Sequence, residues 1–330
     1  MNLKKEFNRY KPYFFNLVLI WLTILFYNIN NYYSNFIRDD SYTTIFYLAL
    51  GYTTIGLFYY SAIPFNRIKN SKGTLIFNAL KRIVRGKFKL EKIEKVAILF
   101  IIVKIFFLPI MLNFFFQNFN SVKSQLPNLL SFSSASIIPA FNLILFPFLL
   151  TLIFMIDTLW FSFGYAFEGS ALNNTIRSVE PTILGWLVTL ICYPPFNTHF
   201  VRYSNWFAND HINFFTPTIT FIMRLCIILL LSIYVGATLA LGTKCSNLTN
   251  RGIVSRGPYA IIRHPAYISK NAAWWLTLIP VLSWPAVFSM GSWSLIYHLR
   301  TITEERHLSQ DPDYIEYCKN VKYRYIPGVY

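Results

Sequence analysis

The chain has 330 residues, of which 55% are hydrophobic, 19% aromatic and only 13% charged. A soluble domain carries about 25% charged residues, so this composition cannot cover a water-facing surface and predicts a protein that crosses a membrane several times. The net charge of +16 could indicate a nucleic-acid partner. Basic cytoplasmic loops that face anionic lipid explain it better in a membrane protein, so we expect a membrane and no nucleic acid.

Apolar runs of about 20 residues are long enough to cross a bilayer. The sequence contains such runs at 13–33, 43–64, 96–116, 137–160 and 217–241. A shorter run at 182–196 ends just after two consecutive prolines, which predicts a tilted or partial span. Basic residues precede the first run without a small-residue cleavage site, so we interpret that run as a retained anchor.

The distribution of lysine and arginine predicts which side each loop faces. Loop 66–95 carries ten basic residues, whereas the loop before it has only Arg38, offset by Asp39 and Asp40. The positive-inside rule therefore places the N-terminus and loop 66–95 in the cytoplasm. Within that loop, residues 75–83 are apolar on one face and basic on the other. They either lie in the plane of the lipid headgroups or belong to a solvated basic loop.

Counting onward from this orientation gives about six crossings before residue 242. Loops 118–134 and 197–216 then face outside, and loop 168–181 faces the cytoplasm. The segment from residue 242 returns to the cytoplasm, and its basic residues agree with that placement: Lys244, Arg251, Arg256 and Arg263. We expect the membrane to be a bacterial inner membrane, with the N-terminus and the functional site in the cytoplasm.

Residues 271–299 pose a geometric question. As a single helix they would extend about 43 Å, and one crossing would separate the residues after them from those before them. Pro280 and Pro285 disfavour a straight helix, and the basic residues of the tail favour the cytoplasm. We therefore predict a helical hairpin with its turn at 283–285. The predicted fold class is an all-α polytopic transmembrane helix bundle that ends in this hairpin.

Three ionisable residues fall in or near predicted spans: Lys104, Asp157 and Arg224. Such residues usually face the interior of a helix bundle or snorkel to the membrane surface. Asp157 lies near the cytoplasmic end of its span and could line a cavity for a hydrophobic substrate. Arg224 lies near the outer end of its span, and we expect it to snorkel.

The stretch from Gly257 to Tyr267 is the most informative motif, and it reads Gly-Pro-Tyr-Ala-Ile-Ile-Arg-His-Pro-Ala-Tyr. Two adjacent glutamates follow about forty residues after its histidine, and further tyrosines and an arginine come later in the tail. These later positions are Glu304, Glu305, Tyr314, Tyr317 and Arg324. The order and spacing resemble the isoprenylcysteine carboxyl methyltransferases and the related phospholipid methyltransferases, which are integral-membrane enzymes that use S-adenosylmethionine. The resemblance covers residues 241–330.

This resemblance implies a cytoplasmic cofactor pocket for S-adenosylmethionine, formed by one set of residues: Tyr259, Arg263, His264, Pro265, Tyr267, Glu304 and Glu305. An arginine fork and a histidine donor suit the carboxylate of this cofactor, and a glutamate suits its ammonium group. Tyrosines suit its adenine or its sulfonium. Arg263 and Glu304 are the residues expected to act in catalysis. Ser269 stands where the family often has glycine, which could narrow the approach of the backbone.

The implied reaction is carboxyl O-methylation of a lipid-like or prenylated acceptor that arrives from the bilayer. Residues 1–240 would supply the transmembrane helices and residues 241–330 the cofactor-binding region. Methyl transfer is an in-line displacement that needs no metal, and the four scattered cysteines lack the spacing of a zinc site. A carboxylate acceptor needs no base, whereas an amine or thiol does. His298 and His307 are the candidates for that base.

Two other classes of protein fit parts of the sequence. The tail at 317–330 also resembles the end of sterol reductases, which use NADPH, although residues 256–265 look more like the methyltransferases. A transporter or scaffold without enzymatic activity would leave the clustered arginine, histidine and glutamates unexplained.

Overall fold

The computed structural model describes residues 3–130 and 137–329. Within these ranges the regular structure is helical, apart from one pair of two-residue strands, so the prediction of an all-α fold is confirmed. The chain divides into two compact units, residues 1–113 and residues 114–330. The predicted cofactor-binding region, 241–330, lies wholly within the second unit.

The first unit contains five helices and the start of a sixth within the described residues. Their bounds are α1 Leu3–Ile29, α2 Asn31–Phe36, α3 Asp39–Ala62, α4 Phe65–Ile68, α5 Lys72–Val84 and α6 Lys92–Leu130. Helix α1 packs against α3 through Tyr13, whose ring stacks on Tyr52 at 5.8 Å between centroids. Helix α5 comes close enough to α1 that a Cβ on Gly73 would lie 2.6 Å from the backbone nitrogen of Asn16. A glycine is therefore required at this contact.

Between the second and third predicted spans, residues 85–91 are not helical, and residues 72–84 form helix α5. Its buried face contains Leu75, Ile76 and Ala79, while Leu80 and Val84 remain exposed. This amphipathic arrangement is typical of a helix at a membrane surface.

The second unit holds the rest of α6 and the remaining elements. These are α7 Ile137–Ala140, a π-helical turn Phe141–Leu145, α8 Phe146–Ala166, β1 Ser178–Val179, α9 Ile183–Leu190, α10 Phe196–Ser204, α11 Pro217–Leu241, β2 Thr249–Asn250, α12 Pro265–Thr277, α13 Trp284–Leu308 and α14 Pro312–Asn320. Short 3₁₀ turns occur at Ser170–Leu172, Gly242–Lys244, Gly257–Ala260 and Ile279–Val281. Strands β1 and β2 pair antiparallel, with Ser178 opposite Asn250 and Val179 opposite Thr249.

Among the described residues, four helices are long and apolar enough to cross a membrane: Arg9–Ile29, Lys92–Leu129, Ile137–Ala166 and Pro217–Lys244. They correspond to four of the predicted runs. The run at 43–64 forms α3, which is not among the four. The run at 182–196 yields only the eight-residue helix α9, about 12 Å long and too short to cross by itself. The count of about six crossings and the orientation stay predictions.

Helix α6 extends beyond the predicted span 96–116 into the segment 118–134, whose placement outside the membrane stays a prediction. The helix has 39 residues and continues to Leu130, although Asn, Ser and Pro127 in this stretch have low helix propensity. The rest of that predicted loop, 131–134, falls outside the described residues.

Arg224 corrects one prediction. Its guanidinium is buried and does not snorkel: Nη1 donates to the carbonyl of Asn142 at 2.6 Å, and Nη2 donates to the carbonyl of His211 at 3.1 Å. It also lies 4.6 Å from the ring centroid of Phe146. The prediction was wrong because chain carbonyls inside the unit replace the water that a snorkelling arginine would seek.

Asp157 is likewise buried inside the second unit. Its two carboxylate oxygens accept hydrogen bonds from Tyr234 Oη and Thr238 Oγ1, both at 2.6 Å, and both donors lie on α11. The carboxylate therefore links α8 to α11 within the core. That core is built from Phe146, Leu150, Ile153, Ile227 and Leu231.

Helices α12 and α13 form the hairpin, and the chain reverses at Ser283, where the prolines predict it. Ser283 is the N-cap of α13, and its Oγ accepts a hydrogen bond from the backbone of Ala286. The two arms are joined by Trp275 Nε1, which donates to Ser294 Oγ at 3.0 Å. The second arm has 25 residues against 13 in the first. Its far end therefore extends past the start of α12 and carries the glutamate pair to the motif.

Candidate functional site

Three segments of the chain meet at the open end of the hairpin: the motif before α12, the last turns of α13 and the tail after α14. The tail pairs with the motif through its backbone. The amide of Arg263 donates to the carbonyl of Tyr323 at 2.9 Å, and the amide of His264 donates to the carbonyl of Arg324 at 3.0 Å. His264 is the N-cap residue of α12 and Pro265 its first helical residue, a position where a missing backbone N–H has no cost.

Glu305 is the centre of a cluster of basic side chains. Arg263 Nε and His264 Nε2 lie 2.9 Å and 3.1 Å from its Oε1. Arg324 approaches the other oxygen with Nε at 3.0 Å and Nη2 at 2.6 Å. Burial alone would raise the pKa of Glu305, but the hydrogen bonds from His264 and Arg324 and the charge of Arg263 outweigh burial and hold that pKa well below its usual range. The carboxylate is therefore ionised at any physiological pH.

This cluster changes what Arg263 and His264 do. The sequence assigns both side chains to the carboxylate of a ligand, whereas here their donors point to Glu305 and to the tail, including the carbonyl of Lys322, 3.0 Å from Arg263 Nη1. Glu305 thus fastens the tail to the hairpin. Direct contact of Arg263 and His264 with a cofactor stays a prediction.

Glu304 has different surroundings from its neighbour. Tyr267 Oη donates to its Oε2 at 2.7 Å, and the ring of Tyr267 stacks on the ring of His264 with 5.5 Å between centroids. Consecutive helical residues point about 100° apart, so Glu305 faces the tail while Glu304 faces the interior of the site.

Two small cavities adjoin Glu304. Cavity 1, of about 50 Å³, is lined by Glu180, Asn247, Tyr267, Arg300, Glu304 and His307 among others. Cavity 2, of about 100 Å³, is lined by Lys244, Arg251, Tyr259, Arg263, His264 and Glu304 among others. Both cavities are smaller than the roughly 300–1,000 Å³ of a pocket for a drug-sized ligand. A ligand of nucleotide size requires the surrounding side chains or the tail to move.

The predicted site residues come together around these cavities. Tyr259, Arg263 and His264 line cavity 2, Tyr267 lines cavity 1, and Glu304 lines both. Pro265 lies at the start of α12 and Glu305 behind the cavities. Tyr317, which the motif also singles out, donates from its Oη to the carbonyl of Tyr259 at 2.7 Å and fixes the turn before Arg263.

The structure adds residues that the motif did not include. Arg300 is buried, donates to Asn247 Oδ1 at 2.5 Å and lies 5.3 Å from the ring centroid of Tyr267. Its position four residues before Glu304 puts it on the same helix face, which is a signal the sequence contains. Glu180 had no such signal, because the pairing of β1 with β2 brings it to the site, with its amide donating to the carbonyl of Leu248 at 2.7 Å.

The two histidines considered as bases have different places. His307 lies on the wall of cavity 1, and its Nε2 is 2.8 Å from Ser178 Oγ. Burial lowers its pKa, although the charges of Glu180 and Glu304 oppose that effect. The imidazole is therefore neutral at neutral pH. His298 Nδ1 instead lies 3.0 Å from Tyr325 Oη in the tail.

Comparison with known proteins finds no relative: no family model matches the chain, and no curated protein or solved structure is significantly similar to it. The resemblance to the membrane methyltransferases therefore depends on the motif residues themselves.

Proposed function

We propose that the chain is an integral-membrane methyltransferase that uses S-adenosylmethionine and acts on a lipid-like or prenylated acceptor. One observation carries the proposal. The Arg-His-Pro-x-Tyr segment and the glutamate pair, which are 41 residues apart at His264 and Glu305, meet beside two adjoining cavities at the open end of the hairpin.

The residues around the cavities suit the charges of this cofactor. Glu304 offers a carboxylate to its ammonium group, and Lys244 and Arg251 offer cations to its carboxylate. The rings of Tyr259 and Tyr267 suit adenine or a sulfonium. The bound cofactor would supply a methyl group already activated by positive sulfur. The chain then has to position the acceptor and exclude water, since orientation alone contributes several kcal/mol.

The acceptor is expected to come from the bilayer, because α11, which packs against α12 of the hairpin, and α8, which packs against α11, are among the helices apolar enough to cross it. We favour carboxyl O-methylation, since an ionised carboxylate reacts without a base.

The positive-inside rule puts the cofactor side in the cytoplasm. Arg263 and Glu304 remain the residues proposed to act in catalysis, on a membrane that we take to be a bacterial inner membrane.

A second candidate is a membrane reductase that uses NADPH. The observation that favours it is the basic wall of cavity 2, where Lys244, Arg251 and Arg263 outnumber the single carboxylate of Glu304. Such a wall suits the phosphates of a nucleotide.

Calorimetry on the detergent-purified full-length protein separates these candidates. We expect S-adenosylmethionine and S-adenosylhomocysteine to bind and NADPH not to bind. Glu304→Gln should weaken binding of both adenosyl compounds by about tenfold or more. The matched control is Glu316→Gln, which changes an exposed glutamate paired with Lys319. Binding of NADPH alone would replace the methyltransferase by the reductase.

A further inference from the structure

Glu180 has a carboxylate oxygen with an unusual environment. The residue is 2% exposed and lies on the wall of cavity 1. Its Oε1 accepts hydrogen bonds from the backbone of Thr182 and from Arg306 Nη2, both at 3.0 Å. Its Oε2 has no hydrogen-bond partner among the described residues. Buried polar atoms are nearly always paired, so this oxygen is available to a donor that comes from a ligand.

The fold holds this carboxylate in place. The Glu180 carbonyl accepts a hydrogen bond from Trp186 Nε1 at 2.8 Å, and its amide is paired with β2. A Cβ at position 185 would overlap the Glu180 side chain, so Gly185 leaves the space that the side chain fills. The orientation of the carboxylate is therefore a feature of the fold and not a chance rotamer.

Two further acceptors face the same cavity. His307 Nδ1 lies 3.9 Å from Glu180 Oε2, too far for a hydrogen bond between them. The imidazole is neutral, and when its Nε2–H donates to Ser178 Oγ, Nδ1 is an acceptor. Glu304 accepts from Tyr267 with one oxygen, and its other oxygen is the third acceptor.

We propose that cavity 1 binds a primary ammonium group through Glu180 Oε2, His307 Nδ1 and Glu304. An ammonium group has three N–H donors, which match the three acceptors. Its positive charge suits Glu304, since Glu180 is already paired with Arg306 through Oε1. A cavity of about 50 Å³ has room for such a group, since one water molecule occupies about 30 Å³ in the liquid. A neutral hydroxyl group has a single O–H donor and cannot satisfy three acceptors.

Arg300, on the same wall, makes its contacts with groups other than these carboxylates. Its guanidinium donates to Asn247 Oδ1 at 2.5 Å and lies over the rings of Tyr193 and Tyr267. Within the described residues no ion pair joins it to Glu180 or Glu304. Among the described residues, Oε2 of Glu180 therefore stays without a partner, although Arg306 pairs with Oε1 of the same carboxylate.

The ammonium group has two possible sources, the amino group of the methyl donor or the headgroup of an aminolipid acceptor. The first source rests on the proposed function, whereas the ammonium site itself does not. Cavity 2 adjoins through the shared wall at Glu304 and carries Lys244 and Arg251. The same ligand can therefore place an anionic group there, as an amino acid or a phospholipid would.

The test compares the wild-type protein with Glu180→Gln and the control Glu316→Gln, all purified at full length in detergent. The probes are S-adenosylhomocysteine, which has the amino acid group, and 5′-methylthioadenosine, which lacks it. We expect Glu180→Gln to weaken binding of the first by about tenfold or more and to leave binding of the second unchanged. The control should change neither. His307→Gln, which should weaken the first selectively as well, takes the place of Glu180→Gln if that variant does not fold.

Ethanolamine tests the second source, the headgroup of an aminolipid. The measurement is the rise in Tm that ethanolamine causes, and ethylene glycol is its uncharged control. If S-adenosylhomocysteine does not bind but ethanolamine stabilises the wild type and not Glu180→Gln, the ammonium site stands and the proposed cofactor falls. Equal weakening of both nucleosides, or ligand responses that do not depend on Glu180 in any arm, would overturn the inference.

Discussion

Replacing Glu305 by glutamine tests whether this residue fastens the tail to the hairpin. The side chains of Glu305, Arg263 and Arg324 are only 14%, 15% and 19% exposed, so solvent screens their interaction weakly. Removing one partner of a buried ion pair costs about 3–5 kcal/mol. Glutamine turns an amide donor toward one of the arginines, but it keeps one acceptor oxygen. We therefore expect the free energy of unfolding to fall by about 3 kcal/mol, the lower end of that range.

Thermal unfolding in detergent measures this loss. Each kcal/mol corresponds to about 2–4 °C in a chain of 150–250 residues, and the second unit has a similar size, so Tm should fall by about 6 °C or more. The pKa of Glu305 is lower in the folded protein than in the unfolded chain, where it is about 4.3. The contribution of Glu305 to the free energy of unfolding is therefore fully present above that unfolded pKa, and it is lost as the pH falls through the folded pKa. The difference between wild type and variant should stay constant from about pH 8 to about pH 5 and shrink only in stronger acid.

The same scan on Glu316→Gln supplies the control, since Glu316 and Lys319 form an exposed pair worth about 0–1 kcal/mol. A Glu305→Gln protein that melts within one or two degrees of that control would refute the role given to the cluster.

Three other changes give separate tests. Arg224→Met removes the donors to the carbonyls of Asn142 and His211 and should destabilise the protein by about 2–4 kcal/mol, measured by the fall in Tm. Gly164→Ala would drive a Cβ into the carbonyl of Cys245; the yield of folded protein in size-exclusion chromatography should drop sharply, and a normal yield would contradict the close approach. Tyr267→Phe removes the hydrogen bond to Glu304 and should weaken adenosyl-ligand binding by about 1–2 kcal/mol in calorimetry, with Tm changed little.

The sequence contains enough information to predict the hairpin but not the lengths of its arms. Pro280 and Pro285 exclude one straight helix, and the resemblance requires His264 and the glutamates to share a side of the membrane. Nothing local sets where α13 ends, since the polar stretch after Leu299 is compatible with helix, and the helix continues to Leu308. The extension of α6 to Leu130 has the same cause, because a change from apolar to polar residues does not mark the end of a helix.

The sequence predicts the motif residues of the site because they are neighbours in the chain or follow one another in the order of the methyltransferase motif. Glu180 has no such signal, and the burial of Arg224 has none either, because tertiary contacts set their surroundings. The two-residue pairing of β1 with β2 delivers Glu180 to cavity 1. Carbonyls from elsewhere in the second unit bury the head of Arg224. A hydropathy pattern reports the average environment of a segment and has no access to such individual contacts.

The adjacent glutamates make the site sensitive to the register of α13. From Trp284 to Leu308 this helix is uninterrupted, and each residue rotates the helix face by about 100°. Deleting one residue between the turn and Glu304 would turn a different pair of side chains toward the tail and the cavities. Related chains that keep this site should therefore vary in the loop before Ser283 and conserve the number of residues from Ser283 to the glutamate pair.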